Sequence, residues 1–202
     1  MKILATSDWH LKPGPFSMDF VKHLGYIKTK AEAGWRVLVL GDWIDTLEYG
    51  RQAYDLDFFF SYHPNITWLE GNHNPDLGVP SVVIDNIFFA HGHQFDLLWG
   101  WLPIYRFPVP ECIRKWYRTP AQKKKGVLRD YHLSTIQIEA TAAIWGVKHR
   151  YRAVVFGHDH CPLVRPFESY PEDFILANSG DRVDSFTWLE GDTETNVWRL
   201  MR

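Results

Sequence analysis

The sequence predicts an α/β protein in which two mixed β-sheets pack face to face with helices on their outer sides, an α/β/β/α sandwich. Three observations carry that reading. Up to residue 70, short apolar runs alternate with a helical period, the rhythm of parallel strands joined by helices. From residue 80 onward, strands follow one another through tight turns, which introduces antiparallel pairing. Five of the apolar runs end on small clusters of Asp, Asn and His, so the strand ends carry the chemistry.

Lys2–Thr6 is an apolar strand that ends on Asp8. Pro13, Gly14 and Pro15 exclude a helix interior and make residues 11–16 the first loop. Ser17 reads as an N-cap, and Phe20, Val21, Leu24, Ile27 and Ala31 recur at helical spacing up to a stop at Gly34. Residues 36–40, too short for a helix, form the strand that delivers Asp42. Residues 54–62 are aromatic-rich and read as helical up to Pro64, and strand 65–70 then delivers Asn72 and His73. Ser81–Ile84 and Ile87–Ala90 flank Asp85-Asn86, a two-residue hairpin turn. Further strands are expected at 152–156, 163–167, 174–177, 185–190 and 195–200, with Gly191-Asp192 as a second hairpin turn.

Residues 97–150 stand apart, because a connection of that length inside a domain rarely lacks a function of its own. The segment opens with Trp99, Trp101, Pro103, Tyr105, Phe107, Pro108 and Pro110. It continues with Arg114, Lys115, Arg118, Lys123, Lys124, Lys125 and Arg129 around Trp116 and Tyr117. A helix bearing Leu133, Ile136, Ala140, Ala143, Ile144 and Val147 closes it. It reads as a helical cap inserted beside the site. The aromatic residues fit packing onto the sandwich, contact in a homodimer, an apolar substrate or docking on a membrane surface. The basic run fits a solvated helix face, with a phosphate-attracting rim as the sharper reading.

At 202 residues the chain suits one domain spanning 1–202, with no accessory domain. Hydrophobic content of 46% and charged content of 23% are those of a soluble globular protein, and a formal charge of -2 argues against a nucleic-acid partner. Cys112 and Cys161 are too few for a disulfide scaffold. Lys2–Thr6 runs straight into a polar motif without a signal-like apolar region, and no apolar run is long enough to span a membrane. A cytoplasmic location is expected.

The clusters are Asp8-Trp9-His10, Gly41-Asp42-Trp43-Ile44-Asp45, Gly71-Asn72-His73-Asn74, His91-Gly92-His93 and Gly157-His158-Asp159-His160. In the first and last, side chains at i and i+2 point to the same side of an extended backbone. Asp8, Asp42 and Asn72 offer hard oxygens, and His10, His91, His158 and His160 offer imidazoles. That set suits Mn²⁺, Fe or Zn²⁺ better than Ca²⁺ or Cu(I), and it is large enough for two ions. Trp9 and Trp43, lying between ligands, are expected to wall the site. Asp96 and Asp159 read as plain loop carboxylates, and His23, His63, His132 and His149 as ordinary surface or helix histidines.

In this order, Asp8-x-His10, Gly41-Asp42-x-x-Asp45, Gly71-Asn72-His73, His91-Gly92 and Gly157-His158-x-His160 resemble the five-block signature of the calcineurin-like metallophosphoesterases. The resemblance implies that family's fold and a centre of two divalent metal ions, Mn²⁺ first, with Fe, Zn²⁺ or Ni²⁺ as alternatives. It implies Asp42 as the bridging ligand, with Asp8, His10 and His160 completing one site and Asn72, His91 and His158 the other. It further implies His73 as the acid that protonates the leaving group, held by Asp45; of His91 and His93, His91 is taken as the ligand and His93 as its neighbour outside the ligand set, an assignment the tripeptide leaves open in the other sense. The family usually carries an acidic residue where this chain has Asn74.

The expected reaction is hydrolysis of a phosphodiester or phosphomonoester by a metal-activated water. Asn178-Ser179-Gly180-Asp181 with Arg182 resembles the C-terminal block of the branch containing UDP-diacylglucosamine pyrophosphohydrolases, although that group typically has Arg at the place of His73 and Trp at that of Arg182. The alternative it implies is pyrophosphate hydrolysis in a lipid-linked nucleotide, with Trp99, Trp101 and Phe107 lining an acyl pocket. A non-catalytic metal-binding module fits least, because every ligand and His73 are present.

Overall fold

The computed structural model describes residues 1–96, 128–167, 174–183 and 185–202. Strand β1 (Lys2–Thr6) leads into helix α1 (Met18–Glu32), whose first turn is capped by Ser17 Oγ accepting from Phe20 N at 3.2 Å. Then come β2 (Arg36–Val39), the short helices α2 (Thr46–Tyr49) and α3 (Leu56–Phe60), and β3 (Ile66–Trp68). The hairpin β4 (Ser81–Ile84) and β5 (Ile87–Ala90) follows, and helix α4 (Leu128–Lys148) precedes β6 (Ala153–Phe156). Four antiparallel-paired strands end the chain: β7 (Leu163–Phe167), β8 (Phe174–Asn178), β9 (Trp188–Asp192) and β10 (Val197–Met201).

These strands form two five-stranded mixed sheets, ordered β10-β9-β1-β2-β3 and β4-β5-β6-β8-β7. In the first, β1, β2 and β3 run parallel; in the second, β5, β6 and β8 do. Alternation along β1 assigns its neighbours. Ile3 and Ala5 enter the core between the sheets with Leu38, Phe89, Val155 and Trp198, while Leu4 turns outward to Phe20, Leu24 and Ile27 of α1. On the far side, Phe88, Val154 and Leu176 meet Ile138 and Ala142 of α4. Both faces of both sheets are therefore covered, which is why the central strands read as unbroken apolar runs. Each fully buried Leu or Phe in these layers contributes roughly 1.5–3 kcal/mol.

The Asp85-Asn86 turn joins β4 to β5 as expected, with both residues at positive φ (49° and 62°), the backbone of a twist-matched hairpin. Four expectations need correction. Residues 54–62 are helical only over α3, Leu56–Phe60, which Asp55 caps through Phe58 N, while a 3-10 turn at Arg51–Ala53 lies just before the segment. Gly191-Asp192 belongs to β9, and the turn is residues 193–196. Gly191 lies under the Trp198 ring, where a Cβ would come within 2.3 Å.

Helix α4 buries Ile138, Ala142 and Ala143 against the second sheet and leaves Ile136 and Ile144 exposed. Apolar residues occur on most of its faces, so periodicity alone points to the wrong stripe. That helix is an outer layer of the sandwich. The cap residues Trp99, Trp101, Phe107 and the basic run at 114–125, together with Cys112, lie outside the described residues. Finally, His23 is buried against Trp9 and Trp188, at hydrogen-bonding distance from Thr6 Oγ1, and is not a surface histidine. No helix among the described residues is long and apolar enough to cross a membrane.

Candidate metal centre

The carboxyl ends of the parallel strands in both sheets converge on one edge. Asp8 and His10 follow β1, Asp42 and Asp45 follow β2, and Asn72 and His73 follow β3; His91 follows β5, and His158 and His160 follow β6. Open α/β sheets place their sites at such strand ends. Here two sheets contribute to one centre.

The backbone bends sharply to aim these groups. Asp8, His10, Asp42, His158 and His160 all have positive φ, between 46° and 77°. Such conformations cost of order 1–3 kcal/mol each for residues with a Cβ and persist only where the surrounding structure imposes them. Two glycines make the close approach possible. A Cβ on Gly71 would stand 2.1 Å from Asp42 Oδ1, and one on Gly157 would stand 2.1 Å from Ser7 Oγ and 2.6 Å from Asp8 Oδ2.

Three groups of metal-competent atoms result, each with all its atoms within 4.8 Å of one another: Asp8, His10 and His160; His10, Asp42 and His73; Asp42, His91 and His158. Asp42 belongs to two of them. His91 Nε2 lies 3.0 Å from Asn72 Oδ1, 3.2 Å from Asp42 Oδ2 and 3.3 Å from His158 Nδ1. Asp8 Oδ1 faces His160 Nε2 at 3.4 Å and His10 Nε2 at 3.9 Å. This oxygen is buried and has no hydrogen-bond partner among the described residues, an expensive state unless a cation completes it. Anionic oxygen with convergent imidazoles is a donor set that fits a divalent transition metal.

Three of the four ligand-capable imidazoles, those of His91, His158 and His160, face a partner at their other nitrogen. His91 Nδ1 donates to Leu40 O at 2.7 Å, His158 Nε2 meets Asp96 Oδ2 at 3.3 Å, and His160 Nδ1 meets Asp181 Oδ2 at 2.8 Å. Such outer partners fix the tautomer and the ring orientation of a metal-binding histidine. Asp96 and Asp181 were missed as site residues, since no regular spacing ties them to the ligand blocks. Each follows the end of a β-strand, as the ligands do, and Asp181 also belongs to the block 178–181, which the sequence relates to a substrate class and not to His160. Asp159 is also buried; it accepts from Cys161 N and contacts Asn178, and burial pushes its carboxyl up to about 7.

Burial works against charge on the two central carboxylates, but the facing imidazoles His91 and His160 hold Asp8 well below the usual carboxylate range, and His91 and His73 do the same for Asp42. In return, against the same burial, Asp42 and Asp8 raise His91, and Asp181 and Asp8 raise His160. Burial lowers His10 and His158. His73 sits at the rim, half-exposed, with Nδ1 2.6 Å from Asp45 Oδ1 and its backbone N–H on Asp42 Oδ1 at 2.8 Å. Burial disfavours its cation, yet Asp42 and Asp45 raise it to about 9. The contact with Asp45 engages Nδ1 and favours the charged ring.

Trp9 and Trp43 do not wall the site. Both point into the core beneath α1, where Trp43 Nε1 donates to Leu69 O and Trp9 Nε1 to Thr6 Oγ1. The expected extended backbone at Asp8-x-His10 and His158-x-His160 is not found either: all four residues are left-handed, so the turn and not strand alternation aims each pair. Asn74 is likewise spent on structure, its amide donating to Leu69 O and Leu77 O. His93 packs 5.5 Å from the His91 ring and belongs to none of the three groups.

A family model described as calcineurin-like phosphoesterase matches residues 1–162, which contain all five blocks. The chain belongs to the calcineurin-like phosphoesterase family. Two solved structures share the fold. One is a single mutant of Vps29 from Entamoeba histolytica, 15% identical, covering 95% of this chain and 86% of that one with a TM-score of 0.51. The other, described as a novel archaeal phosphodiesterase, is 17% identical and covers 100% of this chain and 99% of its own with a TM-score of 0.50. At these identities the likeness concerns the fold. No curated protein matches the chain.

Proposed function

We propose that this metal-dependent phosphoesterase hydrolyses a phosphodiester or phosphomonoester with two divalent cations, Mn²⁺ first among them. The carrying observation is the sharing of Asp42 between the His10 group and the His91–His158 group, because one anion between two cation positions offsets their mutual repulsion. Asp8, His10 and His160 would hold one cation, Asn72, His91 and His158 the other, and Asp42 both. When bound, the cations supply polarised phosphoryl oxygens and a water acidified toward neutrality.

The remaining chemistry belongs to the chain. The His73 imidazolium, its Nδ1 held by Asp45, directs Nε2–H outward and protonates the departing alkoxide. Asp45 fixes that orientation and favours the charged ring. The lipid-linked pyrophosphate alternative draws on the block 178–181, yet those residues already have structural partners. Asn178 donates to Gly157 O and Asp159, and Asp181 accepts from Val183 N and Ser185 N and stands 2.8 Å from His160 Nδ1. They are accounted for without reference to a substrate.

The test is hydrolysis of p-nitrophenyl and bis-p-nitrophenyl phosphate by metal-stripped protein with and without added Mn²⁺. Activity should require Mn²⁺, and Asp42→Asn should abolish it together with uptake of both ions. Full hydrolysis in chelator, or two bound ions in the Asp42 variant, would refute the reading.

A further inference from the structure

From the contacts of Asp181 we infer that it is a positioning residue of the centre, which locks His160 into the one tautomer able to bind a cation through Nε2. The inference rests on the metal-centre reading above and extends it beyond residue 162, where the family match ends. Asp181 is fully buried. Its two oxygens face different partners. Oδ1 accepts from Ser185 N at 2.7 Å, Val183 N at 3.2 Å and Ser185 Oγ at 3.1 Å. Oδ2 stands 2.8 Å from His160 Nδ1, while Nε2 of the same ring faces Asp8 Oδ1 at 3.4 Å.

A carboxylate oxygen 2.8 Å from Nδ1 holds a proton on that nitrogen by its charge, so Nε2, on the other side of the ring, is the nitrogen from which a cation can displace a proton. The loop carrying Asp181 is itself tied down: Thr187 N donates to Asp181 O, and Thr187 Oγ1 donates to Ser179 O at the end of β8. The position of Oδ2 is thus set by β8 and its loop, not by the loop that carries His160.

This arrangement makes an unusual demand of substitutions. In Asp181→Asn the side chain cannot rotate to offer its oxygen to His160, because its NH₂ would then face the N–H groups of Ser185 and Val183. The NH₂ must occupy the Oδ2 position and donate to Nδ1, which drives the ring proton to Nε2. There it is further held by the Asp8 carboxylate. The near-isosteric change therefore presents an N–H where a lone pair is needed. Asp181→Ala, a larger change in shape, puts no donor against Nδ1, so a cation arriving at Nε2 can still move the ring proton to Nδ1.

The experiment is calorimetric titration of metal-free wild-type, Asp181→Asn and Asp181→Ala protein with Mn²⁺, with the melting temperature of each metal-free protein measured in parallel. In Asp181→Asn, one equivalent should weaken by about 10–100-fold, the range for loss of an outer partner, while the other equivalent and the melting temperature stay near wild type. Asp181→Ala should weaken that equivalent less, although it melts lower. Asp181→Asn binding both equivalents like wild type would overturn the assignment, and so would affinities that fall in the same order as the melting temperatures. Wild-type protein that takes up no Mn²⁺ would overturn the metal-centre reading, and this assignment with it. Should Asp181→Ala fail to fold, the comparison of Asp181→Asn with wild type decides alone.

Discussion

His73 and His23 show how burial and neighbours assign opposite roles to one residue type. His73 is raised to about 9 by Asp42 and Asp45 against the effect of burial, which suits the acid role proposed for it. His73→Ala should keep both cations and lower kcat on alkyl phosphate esters by roughly 10²–10⁴-fold. With an aryl ester, whose phenolate departs unaided, the loss should be small. Equal losses on both, with metal content checked alongside, would instead assign His73 to phosphate or metal binding. His23 is pushed down to about 3 by burial and by the charge of Arg182. The folded state therefore refuses a proton that the unfolded chain accepts below about 6.5. Its contribution to stability is fully present above that pH and is lost as pH falls toward 3, by up to ~1.4 kcal/mol per unit. Urea denaturation at pH 7, 6 and 5 should show wild type losing stability relative to His23→Leu at that slope. A constant difference between the two proteins would contradict it.

Among the elements, the strand-end loops are where foldability yields to function. The positive-φ residues in the ligand blocks and the glycines beneath them are tolerated because β1, β2, β3 and β6 are buried on both faces and cannot relax toward the loops. Gly71 is one of the two tightest of these points, with Asp42 Oδ1 at 2.1 Å from the place of a Cβ. Gly71→Ala should displace Asp42 and cut Mn²⁺ affinity by at least tenfold, the chain remaining folded by circular dichroism. Wild-type affinity in that variant would mean that the loop has slack the structure does not show.

Across the whole molecule, the centre joins two sheets whose strands are far apart in sequence. Asp8 of the first sheet accepts from His158 N of the second, and Ser7 Oγ meets Ser179 Oγ at 2.7 Å. Cations bound between the sheets should therefore stabilise the fold as a unit. At a free Mn²⁺ concentration one hundred times the dissociation constant, each site adds about 2.7 kcal/mol. For a chain of this size that corresponds to a rise in Tm of roughly 5–11 °C per site. Differential scanning calorimetry with and without chelator checks this, and Asp42→Asn should show little response. A metal-independent Tm in wild type would argue against ions bridging the sheets.

The residues themselves determined the layers and the strand ends, because periods of 2 and 3.6, the cap at Ser17 and the turn at Asp85-Asn86 are local properties of the chain. They also determined which side chains collect at one edge, since a parallel strand of known direction delivers its last residues to a known end. Tertiary structure alone decided what the periods leave ambiguous. Helix α4 is apolar on most faces, and only the second sheet selects Ile138 and Ala142 over Ile136 and Ile144. Trp9, Trp43 and His23 enter the core because α1 and Trp68 wait there, a contact no spacing encodes. Asp96 and Asp181 reach His158 and His160 for the same reason. A hydrogen bond between groups distant in sequence depends on where two loops end in space, and that is set by packing between the sheets.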